Sequence, residues 1–226
     1  LPLLEGGLLE KADLLFLCNP NNPTGRLLSA DRVKDLADRC ERAETFLLVD
    51  EAFIELSGPE ESVAALAPER EYLFVMRSLT KSFGVPGLRL GFGVCNARFS
   101  RILNLARVPW SIGSIAAAAG EHLLGCRDHL ESSRQVIKKE IAYLENALQD
   151  LGLEPLKSQV NFILVNIEAS GLASDLLAEK TMREGVLVRD CQSFGLGKSY
   201  IRVAVRNREE NRQLIEALKK AISCRD

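Results

Sequence analysis

Three short apolar runs constrain this chain more than any other feature. Residues 13–18 read Asp-Leu-Leu-Phe-Leu-Cys, residues 46–49 read Phe-Leu-Leu-Val, and residues 72–76 read Tyr-Leu-Phe-Val-Met. None alternates apolar with polar, as a strand with one wet face would. Such runs suit strands of a parallel sheet buried on both faces. Between the first two, residues 30–43 carry Val33, Leu36 and Ala37 at helical spacing, with Ser29 placed as an N-cap. Each run is followed by a polar cluster, at Asn22, Asp50 and Lys81. Open sheets of this kind gather ligands at the carboxyl ends of their strands, so the three clusters point to a shared site.

The other bounds are broad. At 226 residues the chain has room for one large domain or two small ones. A composition 46% hydrophobic and 27% charged is that of an ordinary globular protein. A formal net charge of -2 argues against a general nucleic-acid or membrane-surface role. No window approaches the apolar length of a membrane span. The opening Leu1-Pro2-Leu3-Leu4-Glu5 has no basic flank and does not read as a signal peptide. The six cysteines (18, 40, 95, 126, 191 and 224) fit no zinc spacing and read as free thiols of a reducing cytoplasm. His122 and His129 have no ligand partners beside them, so no metal site is expected.

Further along, residues 60–66 are expected to form a short helix, and residues 91–94 to begin a fourth strand. Trp110, after Pro109 at a domain junction, is expected in the core. From Ser111 the character changes. Residues 115–124 read as an alanine-rich helix. Residues 128–151 read as a long amphipathic one, with Ile137, Ile141, Leu144 and Leu148 on one stripe and Gly152 closing it. A strand is expected near 161–167, a short extended stretch over 186–189, an alternating run over 200–205, and helices over 174–184 and 209–223. The organisation expected is a partial large domain over 1–125, then a linker helix and a small α+β domain over 126–226.

The third polar cluster carries the most chemistry. Lys81 follows a buried strand, where burial would disfavour its ammonium. A neutral amine can form a Schiff base with an aldehyde. Ser78 and Arg89 flank it and suit a phosphate. Pyridoxal 5'-phosphate (PLP) is an aldehyde that bears a phosphate; a solvated loop lysine is the plainer alternative. Asp50 could pair with a pyridine nitrogen or merely cap a strand end. Asn22 could meet a ring hydroxyl or serve only its turn. Arg202 lies on the opposite side of its strand from Ile201 and Val203, as a solvated charge or as a fork for a carboxylate.

Taken together, Asn19-Pro20-Asn21-Asn22-Pro23-Thr24-Gly25, Asp50-Glu51-Ala52-Phe53, Ser78-Leu79-Thr80-Lys81, Gly87-Leu88-Arg89-Leu90-Gly91 and Tyr200-Ile201-Arg202-Val203 resemble the fold-type I PLP enzymes of the aminotransferase class I and II superfamily. The resemblance spans nearly the whole chain. It implies an α/β PLP-dependent transferase fold: a mostly parallel sheet with helices on both faces, plus a small C-terminal α+β domain. It also implies roles. Lys81 is the Schiff-base lysine and proton carrier, and Asp50 holds the pyridine nitrogen. Asn22 holds the ring hydroxyl; Ser78 and Arg89 hold the cofactor phosphate. Arg202 holds the substrate α-carboxylate, with Asn161 near it.

Two subgroups are similar: L-threonine-O-3-phosphate decarboxylase of cobalamin biosynthesis, and histidinol-phosphate aminotransferase. Phe53 where aminotransferases usually have tyrosine, Pro86 before Gly87-Leu88-Arg89, Pro109-Trp110-Ser111, Arg189-Asp190-Cys191 and the run from Arg202 to Arg206 look like the decarboxylase. On that resemblance Arg189 and Arg206 are candidates for the substrate phosphate. The full-length enzyme is expected to be a cytoplasmic homodimer acting on a small phosphorylated amino acid. A PLP-fold module without turnover is the reading from another class. In this family a glycine-rich phosphate loop and a ring-stacking aromatic precede the first motif. Neither is found before Asn19, so a front-truncated chain is expected.

Overall fold

The computed structural model describes residues 7–223; Leu1–Glu5 and Cys224, discussed above, lie outside the described residues. The chain forms two compact units. The first comprises the chain up to Pro20 and Leu27–Glu131; the second comprises Asn21–Arg26 and Ser132–Asp226.

In the first unit a four-stranded sheet runs in the order β1 (Leu14–Cys18), β2 (Phe46–Asp50), β3 (Leu73–Ser78), β4 (Gly91–Val94). The first two pairings are parallel and the last is antiparallel. Helix α1 (Ala30–Arg42) makes the crossover from β1 to β2. Strand alternation sends Leu47, Val49, Leu73 and Val75 to one face, where they bury against Val33, Leu36, Ala37 and Cys40 of α1. Phe46 and Phe74 take the other face and pack on Phe99 of α3 (Ala97–Ala106), with ring centroids 4.6 and 5.9 Å apart. Helices thus lie on both faces. Strand β4 sits tight on β3: a Cβ at Gly93 would fall 2.2 Å from the Phe74 ring.

Several local expectations need correction. Ser29 holds the N-cap position of α1, but its side chain makes no capping bond. The Glu61 carboxylate accepts from the Ala30 N–H instead, at 2.5 Å. Residues 60–66 form no continuous helix. Two 3-10 turns, Pro59–Glu61 and Ala64–Glu69, form instead, and between them the Val63 N–H donates to the Glu51 carboxylate rather than to a helical carbonyl. No sequence signal noted above marks helix α3; Asn96 caps it by accepting from the Phe99 N–H at 2.8 Å. Trp110 is 98% exposed, with a left-handed φ of 61° that turns it outward beside exposed Val108. Helices α4 (Ser114–Leu124) and the start of α5 (Arg127–Asp150) complete this unit.

The second unit is an antiparallel sheet in the order β5 (Glu154–Pro155), β6 (Phe162–Asn166), β8 (Tyr200–Ala204), β7 (Arg189–Asp190). The rest of α5, α6 (Ser174–Arg183) and α7 (Arg208–Ser223) supply its helices. Its core joins Leu144 and Leu148 of α5, Ile163 and Val165 of β6, Ile201 and Val203 of β8, Leu177 of α6, and Leu214 and Leu218 of α7. Beside it, Arg208 grips the buried Glu140 carboxylate through Nε and Nη2, each at 2.9 Å, and Asn211 adds a third donor at 2.9 Å.

Candidate functional site

The sequence-derived residues fall into two clusters, one in each unit. In the first unit, a cavity of about 450 Å³ opens at the carboxyl ends of β2 and β3. That lies within the range of about 300–1,000 Å³ usual for small-molecule sites. Asp50, Ser78, Thr80 and Arg89 line it, with Phe74, Met76 and β4 among its walls. The register explains the grouping. Asp50 lies opposite Met76, and Ser78 follows two residues later on the same face. The Asp50 carboxylate accepts from the Ala52 N–H at 3.0 Å, which fixes its direction. Ser78 and Thr80 share a hydroxyl hydrogen bond of 2.8 Å. Arg89 sits in the left-handed region at φ 50°, and its Nη1 donates to the Pro86 carbonyl at 3.2 Å. An acid at one end and a hydroxyl pair with a guanidinium at the other suit a cationic ring nitrogen and a phosphate, so these residues fit PLP.

Lys81 belongs to α2 (Leu79–Ser82), a single turn. The burial expected for it is not found. The turn buries Leu79, Thr80 and Ser82 and presents its third residue outward, leaving Lys81 exposed with Nζ 5.8 Å from the centroid of the Phe53 ring.

In the second unit, Arg202 on β8 is half-buried between aromatic rings, 4.9 Å from the centroid of Phe162 and 5.7 Å from that of Phe194. Its Nη1 donates to the amide oxygen of Asn22. The Asn21–Arg26 turn is fastened here by a bond from the Gln159 N–H to the Gly25 carbonyl, 2.9 Å long. Gly25 has φ 71°, and a Cβ there would lie 2.2 Å from the Ser158 hydroxyl. Arg189 stands directly across from Arg202 in the β7–β8 ladder, over Phe194 and donating to the Ser193 hydroxyl at 2.9 Å. Burial pushes the Arg202 pKa down; the Cys191 thiol opposes the shift, and the Arg189 charge adds to it. Like charges placed opposite one another in a ladder destabilise it, so an anion bound here would relieve the pair. Asn161, just before β6, has a buried Oδ1 with no hydrogen-bond partner. Arg206 lies beyond the end of β8, exposed, with Nε held by Glu210 at 2.6 Å.

Sequence reasoning gives no role to Thr80 and Asn19, which it names only within motifs, and none to Ser193. Thr80 and Ser193 had a signal, a hydroxyl within a few residues of a chosen cation. Buried Asn19 donates its N–H to the Asp50 carbonyl at 2.9 Å, tying the end of β1 to that of β2. The described residues contain no cluster of His, Cys, Asp or Glu able to hold a metal ion, and no helix long and apolar enough to cross a membrane.

Known proteins are similar to this chain in sequence and in fold. A family model described as aminotransferase class I and II matches residues 3–218. A protein of Caldanaerobacter subterraneus subsp. tengcongensis with the provisional name threonine-phosphate decarboxylase is 37% identical over 215 residues, covering 93% of this chain and 58% of that protein. Histidinol-phosphate aminotransferase of Symbiobacterium thermophilum is 36% identical over 222 residues, covering 98% of this chain and 60% of that protein. The crystal structure of histidinol-phosphate aminotransferase from Clostridium acetobutylicum superposes with a TM-score of 0.88 at 28% identity, over 95% of this chain and 65% of that one. The chain therefore spans 58% and 60% of the length of these two curated relatives.

Proposed function

The chain belongs to the aminotransferase class I and II family, and from that premise we propose that it is part of an enzyme that decarboxylates L-threonine O-3-phosphate to (R)-1-amino-2-propanol phosphate, a step of cobalamin biosynthesis. Enzymes of this family are PLP-dependent. When bound, PLP supplies an electron sink for the bond broken at the substrate Cα. The observation that carries the reading is the cavity that collects Asp50, Ser78 and Arg89 at two adjacent strand ends, with Lys81 one turn beyond Ser78.

The residues then divide the work. Asp50, aimed by the Ala52 N–H, keeps a proton on the pyridine nitrogen. Ser78 and Arg89 take the cofactor phosphate, with Thr80 beside them. Lys81 supplies the amine that attaches the cofactor and afterwards moves a proton at the substrate Cα. Arg202 takes the substrate carboxylate, with Asn161 near it, and Asn22 the ring hydroxyl. Arg189, beside Ser193, takes the substrate phosphate; Arg206 could assist only by leaving Glu210. For decarboxylation the grips on the two anions would have to present the carboxylate bond, rather than another bond at Cα, as the one to break. Phe53 supports this choice: the ring beneath the Lys81 ammonium has no hydroxyl to offer the cofactor.

A second reading, histidinol-phosphate aminotransferase working with 2-oxoglutarate, is favoured by the Symbiobacterium relative. The test runs phosphothreonine beside histidinol phosphate plus 2-oxoglutarate. Carbon dioxide from the first is expected. Glutamate from the second, without carbon dioxide from the first, would make the protein a transaminase. A protein that forms no borohydride-reducible adduct with PLP would be a module without turnover. The proposal includes a cytoplasmic homodimer, which a stable, active monomer in sedimentation would contradict.

A further inference from the structure

We propose that Glu51 and Arg77 are positioning residues for the cofactor: a buried ion pair that fixes the spacing between Asp50 and Ser78. The inference rests on the roles just given to those two residues. Glu51 directly follows Asp50, and Arg77 directly precedes Ser78. Strand alternation sends Asp50 and Ser78 to the cavity face and the Arg77 side chain to the other, while Arg77 itself also borders the cavity. There the Arg77 Nε donates to the Glu51 carboxylate at 2.8 Å, with side chains 12% and 0% exposed. Arg77 Nη1 pairs with Glu55, and Nη2 donates to the Ser62 hydroxyl at 2.6 Å. The Ser62 hydroxyl in turn donates to Glu51 at 2.6 Å, and the Val63 N–H donates to its other oxygen at 2.8 Å. Every nitrogen of the guanidinium and both oxygens of the buried carboxylate are thus engaged. The backbone joins in: the Glu51 N–H donates to the Met76 carbonyl at 2.8 Å.

Stability alone accounts poorly for such a pair, because desolvating two charges offsets most of their attraction. What the fork geometry adds is direction. It holds the two strand ends in one relative position, and the residues next to them would have to meet the ring nitrogen and the phosphate of one bound molecule. Displacements of about 1 Å are enough to cost about a hundredfold at such sites.

The test compares Glu51→Gln with Glu140→Gln, which alters a buried glutamate–arginine pair in the second unit. PLP is titrated into each apoprotein, the reducible lysine adduct is followed by absorbance against pH, and melting is recorded without PLP. Both variants are expected to melt below wild type. Only Glu51→Gln should raise the PLP dissociation constant, by about tenfold or more, and move the pH response of the adduct band. If Glu51→Gln fails to fold, Arg77→Lys keeps the charge and loses the fork, and the same two shifts are expected in smaller measure. A folded variant at Glu51 or Arg77 that melts early yet keeps wild-type PLP affinity and pH response would overturn the proposal. A wild-type protein that forms no adduct would sink the functional reading itself, a separate failure.

Discussion

The Arg202 guanidinium donates to the amide oxygen of Asn22, a residue 180 positions earlier in the chain. The bond joins the Asn-Pro turn to strand β8 within one unit. It also gives Arg202 a neutral partner rather than a carboxylate, so this bond sets no competing negative charge against an incoming anion. Arg202→Lys preserves the charge but loses the planar fork. Its kcat/KM for the amino-acid substrate is expected to fall about 30- to 100-fold, equivalent to about 2–3 kcal/mol for charged hydrogen bonds. Steady-state kinetics measure this; a lysine variant within threefold of wild type would return Arg202 to a structural role.

Lys81→Ala should abolish turnover and the borohydride-reducible adduct together, since the amine that attaches the cofactor is gone. Because Lys81 is exposed, the melting temperature of the apoprotein should barely change. Retained adduct in the variant, located by mass spectrometry of the reduced protein, would identify another lysine.

Asp50→Asn should lower kcat by about two orders of magnitude or more, about 2.7 kcal/mol of barrier, while the protein melts close to wild type. The amide can still accept from the Ala52 N–H, so local structure survives while the negative charge is lost. A variant that keeps its rate would reduce Asp50 to a strand-end cap.

Gly25→Ala is expected to destabilise the second unit by at least about 1–2 kcal/mol, the cost of a left-handed residue bearing a Cβ. The clash with the Ser158 hydroxyl adds to it. The neighbouring Asn22 should shift as well, so KM should rise even where the protein stays folded. Calorimetry and kinetics on one preparation separate the two effects.

Glu140 sets an acid limit on the second unit. Hydrogen bonds from Arg208 hold its carboxyl below the usual value; burial opposes the shift, and Asn211 assists it. A lowered folded pKa contributes stability above the unfolded value of about 4.3 that is lost as pH falls through the folded one. Melting of the wild type should therefore decline as pH drops below about 4. Glu140→Gln should melt lower at neutral pH and lose less on acidification. Parallel profiles for the two proteins would mean that Glu140 carries no part of the acid sensitivity.

Much of this protein is decided by local sequence. The three apolar runs became β1, β2 and β3 because a short stretch of unbroken apolar side chains suits a strand; the cover on both faces expected of them is not found at β1, whose Leu14 and Phe16 stay 55% and 56% exposed. Placing Asp50 and Ser78 at strand ends followed, since Asp50 directly follows its run and Ser78 lies two residues past the end of its own. What tertiary structure alone decided are the pairings over distance. Asn21–Arg26 joins the second unit, where Gly25 meets Ser158 from 133 residues away and no periodicity records it. Strand β4 runs antiparallel because the chain turns back through Pro86–Leu88, and Gly93 alone leaves room for Phe74. Glu61 caps α1 from 31 residues away, and Glu51 finds Arg77 from 26. Trp110 lies outside and Lys81 points outward for the same reason: burial depends on which surface the rest of the chain brings over a residue, and that is a property of the assembled fold rather than of its neighbours in sequence.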